Sequence, residues 1–114
     1  MRDDKKRIED ILEAIANVEK YASRGHEAFK NDELIQTWII HHIQIIGEAA
    51  RSLSEDFRAA HDDIPWRQIY TMRNILVHDY FGVDLDEVWS VVENDLPDLK
   101  QKLKSLFSSV VNHK

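Results

Sequence analysis

Apolar residues recur every three or four positions along two long stretches of this chain, and that spacing limits its fold more than any other feature. In the first stretch Ile8, Ile11, Leu12, Ile15, Val18 and Ala22 share one face, with Glu9, Asp10, Glu13, Asn17 and Lys20 opposite. A period near 3.6 residues belongs to an amphipathic helix, predicted here over about residues 4–24. Asp3 and Asp4 suit the positive end of its dipole. Arg24-Gly25-His26 ends it, because glycine accepts a left-handed backbone. In the second stretch Asn31 or Asp32 caps a helix running to about Ser54. It carries two stripes: Ile35, Ile39, Ile43, Ile46, Ala50 and Leu53, then Leu34, Trp38, Ile45 and Ala49. One neighbour needs one stripe, so two predict burial against more than one neighbour.

Only three glycines and two prolines punctuate the 114 residues, so long elements are expected. Residues 54–64 form the loosest stretch, with one turn at Glu55–Ala60. Pro65 opens a third helix that runs to His78 or Tyr80. Asp84 caps a fourth, with Glu87 as its box partner and Leu85, Val88, Trp89, Val92 and Leu96 as its buried stripe. Pro97 predicts a break or restart after Asp95. A last helix carries Leu99, Leu103, Leu106, Phe107 and Val110, and Ser108–Lys114 is expected to fray. The fold class predicted is all-α, an antiparallel bundle of four to five helices in one domain over 1–114.

The balance of 15 Lys+Arg against 21 Asp+Glu gives a net charge of −6. A protein that coats nucleic acid is usually basic, so any such contact here is local or shared across an oligomer. The absence of cysteine excludes disulfides and thiolate metal sites and fits a reducing compartment. The N-terminus leads into no apolar signal core, and no apolar run is long enough to span a bilayer. The location expected is the cytoplasm, with no membrane partner.

The remaining polar side chains set the candidates. His41, Gln44, Glu48 and Arg51, spaced +3, +4 and +3, line one strip of the second helix. That strip is either solvated, with a Glu48–Arg51 ion pair, or one wall of a polar cleft. His42 reads as a core histidine and His26 as a solvated loop histidine. Adjacent His41 and His42 diverge by about 100°, which suits a metal site poorly. Asp62 and His61 have no suitably marked nucleophile beside them. On the third helix Trp66, Ile69, Arg73, Leu76 and Tyr80 follow the spacing of a buried stripe. A cation there needs a partner or a purpose. One reading pairs Arg73 with Glu48 and leaves His78 exposed at a helix end. His78 lies about 140° round from Arg73, so the two share no face automatically. A loosened helix end or a second chain would complete a site.

The segment Arg73-Asn74-x3-His78-x-Tyr80 resembles the motif of HepT-type HEPN-domain ribonuclease toxins. The resemblance covers nearly the whole chain. It includes Ile46-Gly47-Glu48-Ala49-Ala50, Ile64-Pro65-Trp66, Met72-Arg73-Asn74, Val83-Asp84, Val88-Trp89 and Leu96-Pro97. It implies a homodimeric, metal-independent endoribonuclease without a cofactor, acting on tRNA or mRNA. Arg73 would match the family's phosphate-binding arginine and His78 its catalytic histidine. Tyr80 would match the tyrosine AMPylated by a cognate nucleotidyltransferase antitoxin. Glu48 and Arg51 match positions near the cleft, and Asn74 is a further candidate for orienting His78 or the phosphate. The chief alternative is a non-catalytic helical module that presents nucleotide or RNA to a partner nucleotidyltransferase. A purely structural interaction domain is the third.

Overall fold

The computed structural model describes residues 2–67, 69–70 and 85–112, with side chains over 3–67, 69–70 and 85–106. All regular structure among them is helical. The elements are α1 (Arg2–Ala22), α2 (His26–Asn31), α3 (Glu33–Arg51), α4 (Glu55–Ala60), α5 (Leu85–Ser90), a π-helical turn (Val91–Asp95) and α6 (Leu96–Asn112). Residues 66, 67, 69 and 70 are also helical, and begin the helix predicted from Pro65.

The predicted stripes make the core. Ile8, Ile11, Ile15 and Val18 of α1 are sealed against Ile35, Ile39, Ile43 and Ile46 of α3, and Leu96, Leu99 and Leu103 of α6 complete the cluster. Each such side chain is worth about 1.5–3 kcal/mol when taken out of water. The α1–α3 interface is the broadest in the described chain, and α6 packs along α1. Lys100 ties the same pair at the surface, with Nζ 2.9 Å from a Glu19 carboxylate oxygen.

Several expectations change in detail. α1 stops at Ala22, and the sequence gives no warning of α2. Gly25, at φ 99° and ψ 167°, turns the chain there. That backbone region is essentially glycine's alone. α2 then carries Phe29 into the core, fully buried. Gln36 of α3 satisfies the end of α2 by donating to the carbonyls of Phe29 (3.0 Å) and Lys30 (3.1 Å). His26 is exposed, as expected, but it opens α2 instead of lying in a loop. Its ring stacks on Trp89 at 5.0 Å and 5°, and its Nε2 lies 3.9 Å from Asp86. Between the two candidate caps of α3, Asp32 is the one used; its Oδ1 accepts from Leu34 N at 2.9 Å and Ile35 N at 3.4 Å.

The second stripe of α3 is only partly covered. Ala49 is buried and Trp38 and Ile45 are half-buried, but Leu34 is 81% exposed. The restart expected after Asp95 is present: the α-helix gives way to a π turn over Val91–Asp95, and α6 begins at Leu96 with Pro97 as its second residue. Pro97 explains the irregularity. It lacks an N–H and would crowd the carbonyl of Glu93 in a regular α-helix. The backbone instead widens into a π turn, with Leu96 N–H donating to Val91 O, and continues as α6. The α6 backbone remains helical to Asn112, past Ser108, where the sequence predicts fraying.

Asp4 serves more than the helix dipole. Its side chain is 4% exposed, and its two oxygens accept from Ser54 N (2.8 Å) and Ser54 Oγ (2.7 Å), fifty positions away. Ser54 Oγ in turn accepts from Phe57 N at 3.1 Å and caps α4. Burial alone would raise the Asp4 carboxyl pKa. The Ser54 hydrogen bonds and the nearby Arg58 charge outweigh it, leaving the group below its ordinary value.

A depressed folded pKa gives stability that is present above the unfolded pKa and lost as pH falls through the folded one. Asp4→Asn is therefore expected to lower unfolding stability at neutral pH by about 1.5–3 kcal/mol, the range for hydrogen bonds to a charged group. Urea unfolding across pH checks this. The gap to the parent protein narrows once pH drops below about 4, where the unfolded carboxyl is itself protonated.

Candidate functional site

Arg73, Asn74, His78 and Tyr80 lie within residues 71–84, outside the described residues. The structure defines instead the frame that leads into and out of that segment, and the α3 surface that carries Glu48 and Arg51.

The leading side is braced twice. Trp66 is 6% exposed and its indole N–H donates to His61 O at 3.0 Å, while Ile69 is 2% exposed. These are the first two positions of the predicted Trp66-Ile69-Arg73-Leu76-Tyr80 stripe, and both are buried as that spacing requires. Arg58 of α4 donates from Nη1 to the hydroxyl of Tyr70, and its guanidinium lies 5.5 Å from the Tyr70 ring centroid. Its Nε also donates to Ser54 O at 3.4 Å. A polar chain thus runs Asp4–Ser54–Arg58–Tyr70 and ends three residues before Arg73. On the trailing side, Trp89 of α5 lies between groups of α2, with His26 stacked at 5.0 Å and Phe29 tilted at 5.3 Å. Its indole N–H donates to Glu93 at 2.9 Å. The segment is therefore tethered to the body of the bundle on both sides.

On α3, His41, Glu48 and Arg51 are exposed and Gln44 is half-buried, as a strip with that spacing demands. The Glu48–Arg51 ion pair that the spacing allows does not form, because Arg51 makes no ion pair or hydrogen bond through its side chain among the described residues. Glu48 also lines a groove of about 380 Å³ between α1 and α3, together with Arg7, Asp10, Glu13, His42 and Ser52. Asp10 is drawn to its own helix neighbours, at 3.2 Å from Lys6 and 3.9 Å from Arg7. His42 is 8% exposed, the core histidine expected. Its Nδ1 lies 2.7 Å from Trp38 O. A carbonyl only accepts, so the Nδ1 position is the donor in this bond. Among the described residues no group of three or more His, Asp or Glu side chains is placed to hold a metal ion. None of their helices is long and apolar enough to cross a membrane.

Nothing in the spacing of the sequence points to Arg58 or Tyr70. They are twelve positions apart on separate elements, and no periodic pattern links them.

Taken together, these features describe a small all-α chain with a polar α3 face and with braced residues on both sides of the Arg73–Tyr80 stretch of sequence. The comparisons with known proteins agree with that class. The family model described as Ribonuclease HepT-like matches residues 11–106, a span that includes Glu48, Arg51 and the Arg73–Tyr80 segment. The chain belongs to the HepT-like ribonuclease family. It is 41% identical over 106 residues to "Probable ribonuclease HepT" of Thermococcus cleftensis, covering 92% of this chain and 96% of that one. It is 36% identical over 104 residues to "Putative RNase MJ1380" of Methanocaldococcus jannaschii, covering 90% and 95%. A third relative, from the same archaeon, is "Gamma-glutamylcyclotransferase and putative RNase MJ0434". It is 36% identical over 108 residues, which cover 94% of this chain but 49% of the relative. No solved structure matches the chain.

A double-mutant cycle on Arg58→Ala and Tyr70→Phe checks the leading brace. Each change is expected to cost about 1–2 kcal/mol in urea unfolding, and the pair to cost less than the sum by about 1 kcal/mol. Strict additivity would mean that the two groups do not support each other.

Proposed function

We propose that this chain is a metal-independent endoribonuclease toxin. In this reading it acts as a homodimer in the cytoplasm and is silenced when a cognate minimal nucleotidyltransferase antitoxin AMPylates Tyr80, the arrangement of a type VII toxin–antitoxin pair. The observation that carries the reading is the match to the HepT-like ribonuclease family across residues 11–106, which contains Arg73-Asn74-x3-His78-x-Tyr80.

The chemistry asks little of the protein because RNA supplies its own nucleophile. The 2′-oxygen attacks the adjacent phosphorus, the bond from phosphorus to the 5′-oxygen breaks, and a 2′,3′-cyclic phosphate remains. One proton leaves the 2′-hydroxyl and one is delivered to the departing 5′-oxygen. His78 is the proton carrier in this scheme, since imidazole titrates near neutral pH. Arg73 holds the phosphoryl oxygens as their charge grows, with a fork that stays ionised. Asn74 orients one of these groups. In this scheme Arg51, exposed on α3 and without an ion pair among the described residues, takes a neighbouring phosphate, and Glu48 completes the same wall. A homodimer brings two such sets to one cleft, so an acidic chain gains a local cationic site without a basic surface. AMP on Tyr80 would add a phosphate that competes with RNA for Arg73, and bulk that fills the cleft.

His78→Ala is expected to lower the rate of RNA cleavage in EDTA by about 10²–10⁴-fold, the usual range for a general acid–base group. Folding should be unchanged by circular dichroism. A variant that cleaves as fast as the parent sinks the role given to His78. Co-expression with a cognate minimal nucleotidyltransferase is expected to add one or more AMP masses, which Tyr80→Phe abolishes. An unmodified intact mass contradicts the silencing scheme.

A further inference from the structure

A second groove lies away from the α1–α3 polar cleft, where the end of α1 meets the start of α3. It encloses about 500 Å³, and Tyr21, Arg24, Leu34, Trp38 and His41 are among its walls. That volume suits a ring-sized ligand. The aromatic wall is rigid. Tyr21 and Trp38 pack edge to face at 5.2 Å and 72°, and the Trp38 indole N–H is anchored on Asn17 O at 2.7 Å.

Two cations sit at this wall. The Arg24 guanidinium carbon is 5.0 Å and Lys20 Nζ 5.8 Å from the Tyr21 centroid. Both side chains are exposed and neither forms an ion pair among the described residues. Lys6, Arg7, Lys100 and Lys102, by contrast, each have a carboxylate partner. The groove's one carboxylate, Asp32, is already engaged in capping α3. Leu34 stands 81% exposed on the rim. His41 is also the first member of the polar strip that ends at Arg51, about 15 Å further along α3.

We propose that this groove binds a single-stranded segment of the RNA substrate away from the cleavage point. One base lies against Tyr21 and Trp38, and the flanking phosphates sit on Arg24 and Lys20. The proposal rests on the ribonuclease reading above for the identity of its ligand. Stacking on aromatic rings and charge contact with the backbone are the two terms by which proteins hold single strands without reading sequence. Both are present here, on a chain whose net charge is −6. A purely aliphatic protein partner fits less well, because it would take Lys20 and Arg24 out of water with nothing to neutralise them.

The test uses the full chain and a short single-stranded 2′-O-methyl RNA, which lacks the attacking hydroxyl, with binding read by fluorescence anisotropy over a range of salt. Lys20→Ala and Arg24→Ala are each expected to weaken binding several-fold. Each should also flatten the slope of log K against log salt by about 0.7, the value for one phosphate contact on a single strand. Tyr21→Leu, which keeps the packing volume, is expected to weaken binding about 5- to 150-fold with the salt slope unchanged. Affinities and slopes equal to those of the parent in all three variants overturn the site. So does a Leu34→Lys variant that changes the oligomeric mass while leaving RNA binding untouched, since the face is then a protein interface. Cleavage of unmodified RNA is assayed separately. A protein that binds with these dependences but does not cleave retains the groove assignment and loses the catalytic one.

Discussion

The packing of α1 on α3 is the constraint from which the rest of the structure follows. Branched aliphatic side chains on both helices, Ile8, Ile11 and Ile15 facing Ile39, Ile43 and Ile46, are essentially removed from water. Their stiff side chains lose little freedom on packing and fix the helices in one register. α2 and α6 lean on that pair. Phe29 plugs α2 against it, Leu96, Leu99 and Leu103 lay α6 along it, and Asp4 fastens the start of α1 to the turn between α3 and α4.

This arrangement separates the work of holding from the work of chemistry. The core is apolar and continuous, whereas the groups suited to contact RNA lie on its surface or on the segment between the braces. Arg58 and Tyr70 on one side and the His26–Trp89 stack on the other anchor the residues flanking 71–84. The Arg58–Tyr70 and Trp66–His61 hydrogen bonds lie at partly buried positions, where a hydrogen bond is worth more than at an open surface. The exposed ion pairs, such as Lys102–Asp98, add little by comparison. The same economy governs charge. The chain carries six more acidic than basic formal charges, yet Lys20, Arg24 and Arg51 are exposed and have no carboxylate partner among the described residues.

Periodic packing was legible in the sequence. The stripe of α1, the first stripe of α3, the Asp32 cap and the turn at Glu55–Ala60 are all where spacing and capping chemistry place them. So was the core position of His42. What escaped depends on contacts between distant parts of the chain. The short helix α2 exists because Phe29 finds a hole in the core and Gly25 can turn the chain, and neither cue stands out in six residues. The Asp4–Ser54 link spans fifty positions and the Arg58–Tyr70 link twelve, with no period to reveal them. Pro97 correctly marked the restart after Asp95, but the π turn that absorbs the proline there had no cue of its own. The candidate site is proposed from its motif and family context rather than from spacing, and Arg73, Asn74, His78 and Tyr80 lie outside the described residues. Helical geometry alone sets His78 apart from Arg73 and leaves their cooperation to a distorted helix end or a second chain.

The central claim is that RNA is cut by its own 2′-hydroxyl, with His78 moving protons and Arg73 holding the phosphate. The most direct measurement is the chemical identity of the new ends, read by mass spectrometry on a defined oligoribonucleotide after incubation in EDTA. The account predicts a 2′,3′-cyclic phosphate on one fragment and a free 5′-hydroxyl on the other, with no cut at a position made 2′-deoxy. Fragments bearing a 5′-phosphate and a 3′-hydroxyl, or cleavage that persists at the 2′-deoxy position, would contradict it.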